Sequence, residues 1–172
     1  MARNIEIKAR IEGIEVLLPK VVALADKGPI EIFQDDWFFG CESGRLKLRV
    51  LSNTEGELIF YRRPDQLGPK ESFYVISPTG SPDSLRETLS LAYGTIGHVC
   101  KHRTLFMIGR TRVHLDRVDG LGQFLELEVV LENHETAVSG IAIAQKLMAE
   151  LGVEPSQLVE GAYIDLLAHG HA

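Results

Sequence analysis

Lysines and arginines recur at alternate positions in several short stretches of this chain, with carboxylates set among them. The stretches are Asn4-Ile5-Glu6-Ile7-Lys8-Ala9-Arg10, Arg45-Leu46-Lys47-Leu48-Arg49, Arg110-Thr111-Arg112-Val113-His114-Leu115-Asp116 and Leu125-Glu126-Leu127-Glu128-Val129. Arg103, in a further extended segment, adds to the same set. Guanidinium forks and ammonium groups are the usual partners of phosphate oxygens. Lys8, Arg10, Arg45, Lys47, Arg49, Arg103, Arg110 and Arg112 on converging strands would bind a polyphosphate better than a single phosphate. The carboxylates are Glu6, Asp116, Glu126 and Glu128, and Glu126 and Glu128 share a strand face at i and i+2. Paired carboxylates beside phosphate hold Mg²⁺ or Mn²⁺, together with substrate oxygens. A plainer account uses the same residues: a solvated sheet face whose charges form cross-strand salt bridges. On residue types alone, that plainer account is the stronger.

The period of two puts these groups on strands. Successive strand residues point to opposite faces. Each stretch therefore has one charged face and one apolar face, the latter carrying residues such as Ile5, Ile7, Leu46, Leu48, Val113, Leu115, Leu125 and Leu127. The pattern predicts strands over 3–11, 29–39, 45–52, 57–63, 71–77, 95–108, 110–117 and 123–131, with turns at 40–44, 52–56, Gly109 and 119–122. Helices are expected over 13–27, from Ser81 to about Ala92, over 134–151 and over 155–167. Pro19 marks a kink or a start in the first, and Ser81 followed by Pro82 is a good opening for the second. Eight strands in hairpin-like succession with three or four helices make an α+β fold with an antiparallel sheet. Such a sheet can close into an eight-stranded barrel that holds side chains or a small ligand. With the charged phases inward, the helices must cover the apolar phases from outside. An open sheet with helices on one face satisfies the same pattern.

The chain has 172 residues, consistent with a single domain over 1–172, and its 45% hydrophobic content is enough for a core. The net charge of −6 argues against a general nucleic-acid binder but allows a local basic cavity. Cys41 and Cys100 lack CxxC spacing and are too few for a disulfide framework, which points to a reducing cytoplasm. The N-terminus lacks an apolar signal region and no run is long enough for a membrane span, so a cytoplasmic protein without membrane contact is expected. Trp37-Phe38-Phe39 reads as core, with Gln34 and Asp36 able to reach the charged face. His114 is on a charged phase. The other histidines, His169 and His171 included, show no metal spacing, and a solvated or satisfied imidazole is the better reading for each.

Several of these pieces occur in one order that resembles the CYTH, or triphosphate tunnel metalloenzyme, superfamily, and most closely its class IV adenylyl cyclase-like branch. They are Asn4-Ile5-Glu6-Ile7-Lys8, Gln34-Asp35-Asp36-Trp37-Phe38, Leu46-Lys47-Leu48-Arg49, Lys101-His102-Arg103, the long motif from His114 through Val118, Gly120, Leu121, Gly122 and Phe124 to Glu126 and Glu128, and Tyr163-Ile164-Asp165-Leu166-Leu167. The long motif is specific; the first alone is not. The resemblance implies an eight-stranded antiparallel tunnel with a charged interior. Glu6, Glu126 and Glu128 would bind the metal, Mg²⁺ or Mn²⁺, with Asp116 beside them. Lys8, Arg10, Arg49, Arg103 and Arg112 would hold the triphosphate, with Lys47 and Arg110 as further candidates. Lys8 and Glu126 are the expected catalytic pair. Two positions depart from the family pattern: Asn4 replaces its first glutamate, and Arg62, a further candidate for binding the triphosphate but a poor general base, stands where a lysine is common.

The implied activity is metal-dependent conversion of ATP to cyclic AMP and pyrophosphate. Hydrolysis of tripolyphosphate, thiamine triphosphate or a nucleoside triphosphate fits the same residues. A non-catalytic module that binds polyphosphate or nucleotide is the alternative prompted by Asn4 and Arg62. A structural β domain without a ligand is the last. A homodimer is a further implication of the resemblance.

Overall fold

The computed structural model describes residues 2–170, and His171 lies outside them. The chain runs β1 (Ala2–Ile11), α1 (Ile14–Leu24), β2 (Lys27–Phe39), β3 (Arg45–Ser52), β4 (Glu55–Arg62), β5 (Lys70–Thr79), α2 (Pro82–Tyr93), β6 (Thr95–Ile108), β7 (Thr111–Val118), β8 (Gly122–Val130), α3 (Ala137–Glu150), a 3-10 turn (Pro155–Gln157) and α4 (Tyr163–Gly170). The strands pair antiparallel and close in the order β1-β5-β4-β3-β2-β6-β7-β8. The closed barrel is therefore the form adopted, rather than the open sheet that the alternation also allowed.

The alternation expected from sequence sets which way each wall faces. On β1, Asn4, Glu6 and Lys8 point inward, while Ile5, Ile7 and Ala9 point outward and are fully buried. The outer faces of β1, β7 and β8 form the main core, in which Val113, Leu115, Leu125 and Leu127 pack under Leu17 and Val21 of α1 and Ala144 and Leu147 of α3. Burying each such side chain stabilises the fold by roughly 1.5–3 kcal/mol. This core lies outside the barrel, so α1 and α3 are needed to keep it from water. Close approach of α3 depends on Gly140, where a Cβ would sit 2.6 Å from Ile5 and 2.7 Å from Leu131. A smaller cluster packs Leu85 and Leu89 of α2 on Trp37, Phe39, Leu46 and Leu48.

The C-terminal segment differs from expectation. Residues 155–167 do not form one helix. Leu158 and Val159 are extended: Leu158 bridges Ala9, and the Val159 amide donates to the Lys8 carbonyl at 3.0 Å. Gly161 then takes a φ of 83°, a left-handed conformation that glycine adopts without strain, and α4 begins only at Tyr163. Pro19, in contrast, falls inside α1, which runs through it. Ser81 occupies the N-cap of α2 with Pro82 after it, but its side chain makes no capping bond.

α4 covers one end of the barrel. Phe38, Val99, Val118 and Phe124, at strand ends around that rim, pack with Ala162, Tyr163 and Ile164. Arg45 at the start of β3 grips Asp165 at 2.5 and 2.6 Å. The opposite end is open, and Ile76 on its rim is 45% exposed.

Candidate active site

The barrel encloses a cavity of about 340 Å³, at the small end of the range of roughly 300–1,000 Å³ typical of small-molecule sites. Every strand contributes alternate residues to it, and Ala162 and Tyr163 complete the α4 end.

One side is cationic and organised by a single carboxylate. Asp36 is 1% exposed and accepts from Arg49 at 2.9 Å through two nitrogens, from Lys101 at 2.9 Å and from Lys47 at 3.1 Å. The register makes this possible, since Asp36 sits opposite Arg49 on β3 and Val99 on β6. Burial alone would raise the Asp36 carboxyl, but Arg49, Lys101 and Lys47 outweigh it and hold the group well below the usual carboxylate range. Burial pushes Lys101 down to about 7 and Lys47 to about 8, against the attraction of Asp36. The tunnel thus concentrates cations whose charge is incompletely balanced, a setting that favours a multivalent anion.

The facing side carries the acids. β7 and β8 place His114 opposite Glu126 and Arg112 opposite Glu128, while β1 places Lys8 opposite Glu126 and Glu6 opposite Glu128. Ligand atoms of His114, Glu126 and Glu128 lie within 4.8 Å of one another. The nearest cations to Glu126 are Arg103 at 3.7 Å and Lys8 at 3.8 Å, beyond hydrogen-bond reach. His114 Nδ1 is buried without a hydrogen-bond partner, 3.9 Å from Glu126 Oε1. Burial would raise the Glu126 carboxyl, but Lys8, His114 and Arg103 hold it well below the usual range. Buried, ionised carboxylates and an unpartnered imidazole nitrogen that converge in this way fit a divalent cation such as Mg²⁺ or Mn²⁺.

Of the residues expected from sequence, Glu6, Lys8, Lys47, Arg49, Arg103, Arg112, Glu126 and Glu128 line this cavity. Glu6 pairs with Arg63 rather than with the His114 group. Asp116 lies behind the cavity lining and outside the His114 group. It is 0% exposed, and its oxygens are held at 2.8 Å by Arg103 and by the Tyr163 hydroxyl, so that it positions Arg103. Arg10 shares the inward phase of β1, but it lies past the tunnel end, stacked 4.7 Å over Phe124 and bonded to the Leu121 carbonyl. Arg62 faces outward, over Phe60 and Phe73. Arg110, at the β6–β7 turn, is clamped by Glu135 at 2.5 and 2.6 Å. Arg45 holds α4. These four lie outside the cavity lining.

Four contributors were not among the site residues expected from sequence, and one is Lys101, which was known only as part of a motif. Arg63 enters the cavity just beyond β4, donating to the Gly161 carbonyl at 3.0 Å as well as pairing with Glu6. A continued period of two from Glu57, Ile59 and Tyr61 signals its orientation. Tyr163, known from sequence only as part of a closing motif, places its ring 4.1 Å from Lys8 Nζ. His114 had its phase to mark it, but the phase alone did not separate a ligand from a satisfied histidine.

Several solved structures share this architecture. PH1012 from Pyrococcus horikoshii OT3 superposes with a TM-score of 0.85 at 24% identity, over 95% of this chain and 99% of that one. A candidate adenylate cyclase from Vibrio parahaemolyticus gives 0.74 at 19% identity, over 96% and 97%. The candidate adenylyl cyclase HpAC1 from Hippeastrum, whose dominant activity is that of a triphosphatase, gives 0.68 at 15% identity, over 97% and 96%. At these identities the likeness is one of fold. No curated protein matches the sequence. The family model for the CYTH domain matches residues 2–163, and the chain belongs to that family.

Proposed function

We propose that this protein is a divalent-metal-dependent enzyme that acts on a triphosphate. The observation that carries this reading is the opposition, across one small tunnel, of the cations gathered on Asp36 and the His114, Glu126 and Glu128 cluster. Phosphoryl chemistry needs little more than positioning and charge neutralisation, which these two walls can supply. Lys47, Arg49, Lys101, Arg103 and Arg112 would bind and orient the phosphates. Glu126, Glu128 and His114 would hold the metal, which when bound supplies charge neutralisation and activation of the attacking oxygen. Lys8 lies beside Glu126, and burial lowers its amine from the usual value, so that it can hold or pass a proton at Nζ.

Cyclisation of ATP is the first reading of the chemistry. Ile32, Ile76, Leu105 and Tyr74 give the open end an apolar wall that suits a nucleoside with its triphosphate running inward. Hydrolysis is the second reading. Lys8, Arg63 and Lys101 near the α4 end suit the terminal phosphate of the same substrate. Incubation with ATP or tripolyphosphate, with Mg²⁺ or Mn²⁺, followed by separation of the products, tests both. Cyclic AMP and pyrophosphate support the first. Release of phosphate without cyclic AMP overturns it in favour of hydrolysis. Binding without turnover under either metal overturns the enzyme reading altogether. Among the described residues no helix is long and apolar enough to cross a membrane.

A further inference from the structure

We propose that Asp35, His98 and Cys100 form a second metal site, on the outer wall of the barrel, for a thiophilic divalent cation of the Zn²⁺ class. The alternation that turns Gln34, Asp36, Phe38, Val99 and Lys101 into the tunnel turns Asp35, Trp37, His98 and Cys100 outward. Asp35 and Cys100 are direct cross-strand partners, and His98 lies two residues before Cys100 on the same face. Cys100 Sγ is 3.4 Å from Asp35 Oδ1 and 3.4 Å from His98 Nε2, and that same Nε2 contacts Oδ1. The three donor atoms thus converge on one another.

Zinc binds sulfur at about 2.3 Å and nitrogen or oxygen at about 2.0 Å, so the edges of a tetrahedral site that involve sulfur are about 3.5 Å long. The two sulfur edges here already have nearly that length, and the Nε2 to Oδ1 edge has only to open. A nucleophilic relay does not fit the same atoms. It needs the carboxylate and the thiol on different ring nitrogens, whereas both meet Nε2. A supporting layer is present as well. The Trp37 indole donates to Asp35 Oδ2 at 3.2 Å, leaving Oδ1 for the metal, and its ring stacks on His98 at 3.9 Å. The side chains of His98 and Asp35 are 38% and 39% exposed, so the fourth position is open to water. Without metal, the thiol donates to Asp35, and burial together with that bond pushes Cys100 up to about 11. Metal binding releases this proton to solvent as the thiolate forms.

Titration with Co²⁺ tests the site, because a cobalt–thiolate bond gives a charge-transfer absorption that the tunnel ligands cannot produce. The full chain is expected to develop this band at one equivalent and to lose it in Cys100→Ser. In Zn²⁺ titrations followed by calorimetry, His98→Ala should weaken outer-site binding at least tenfold, and Trp37→Phe about tenfold. The tunnel variant Glu126→Gln should keep the band. Zn²⁺ should also slow alkylation of Cys100 but not of Cys41, which lies outside the cluster and monitors the fold. A wild-type chain without the band, or a band that survives in Cys100→Ser, overturns the proposal.

Discussion

Replacing Asp36 by Asn removes the one carboxylate that collects Lys47, Arg49 and Lys101, and the consequences can be worked out from their burial. The side chains of these cations are 14%, 12% and 3% exposed, so their charges are poorly screened. Taking one partner from a buried pair costs about 3–5 kcal/mol. Asn keeps an acceptor, which puts the loss near the lower end, about 3 kcal/mol. At about 2–4 °C per kcal/mol for a chain of this size, the melting temperature should fall by about 6–12 °C. A triphosphate should then do for the cation row what the carboxylate did. At a hundredfold excess over Kd a native-state ligand stabilises by about 2.7 kcal/mol, enough to restore most of the loss. The expected result in thermal melts with and without tripolyphosphate is a larger ligand-induced rise in the variant than in the wild type. The pH dependence has a definite sign. The Asp36 carboxyl is depressed in the folded state, so its contribution is present above about pH 4 and is lost as pH falls towards its folded value. The difference between variant and wild type should therefore narrow in acid. An equal melting temperature for the two proteins, or a ligand response no larger in the variant, refutes the reasoning.

Further outcomes follow from other parts of the tunnel. Glu126→Gln should abolish metal-dependent turnover while leaving tripolyphosphate binding measurable by calorimetry without metal; unchanged turnover would remove Glu126 from the chemistry. Lys101 near 7 and Lys47 near 8 should regain protons when a polyanion binds, so affinity should fall as pH rises from about 7 to 9. Calorimetry in buffers of different ionisation heat should show proton uptake, and its absence would contradict the lowered values. Asn4→Glu adds a carboxylate to a wall that already holds Glu6, Glu126 and Glu128; it should tighten Mn²⁺ binding and lower the melting temperature of the metal-free protein. Arg45→Ala breaks the grip on Asp165, and hydrogen exchange in 163–167 should quicken while the strands keep their protection.

The strands were legible because one face of each had to be apolar for packing and the other carried charges, and a period of two records both demands. The same period placed Lys8, Lys47, Arg49, Arg112, Glu126 and Glu128 on one surface, although nothing in it says whether that surface faces water or itself. Closure depends on β1 pairing with both β5 and β8, a long-range fact that the local pattern does not contain. Phase alone also misassigned Arg10, which follows the alternation of Glu6 and Lys8 but extends past the barrel rim. The contacts of Asp116 were hidden for a different reason, since its partners Arg103 and Tyr163 lie on other elements, the latter distant in sequence. The final helix was overextended because Leu158 and Val159 are apolar enough for a helix, yet pair with the end of β1.

Among the described residues, the cover that α4 places over one barrel end narrows the tunnel there, so traffic favours the opposite rim. Traffic through such a channel has an order. A molecule that splits inside it leaves as two fragments, and the deeper one has to wait for the shallower to clear the open rim near Ile76 and Glu128. Excess outer product should re-enter behind the inner one and inhibit non-competitively with respect to substrate. The inner product should accumulate on the enzyme when the outer one is supplied in excess.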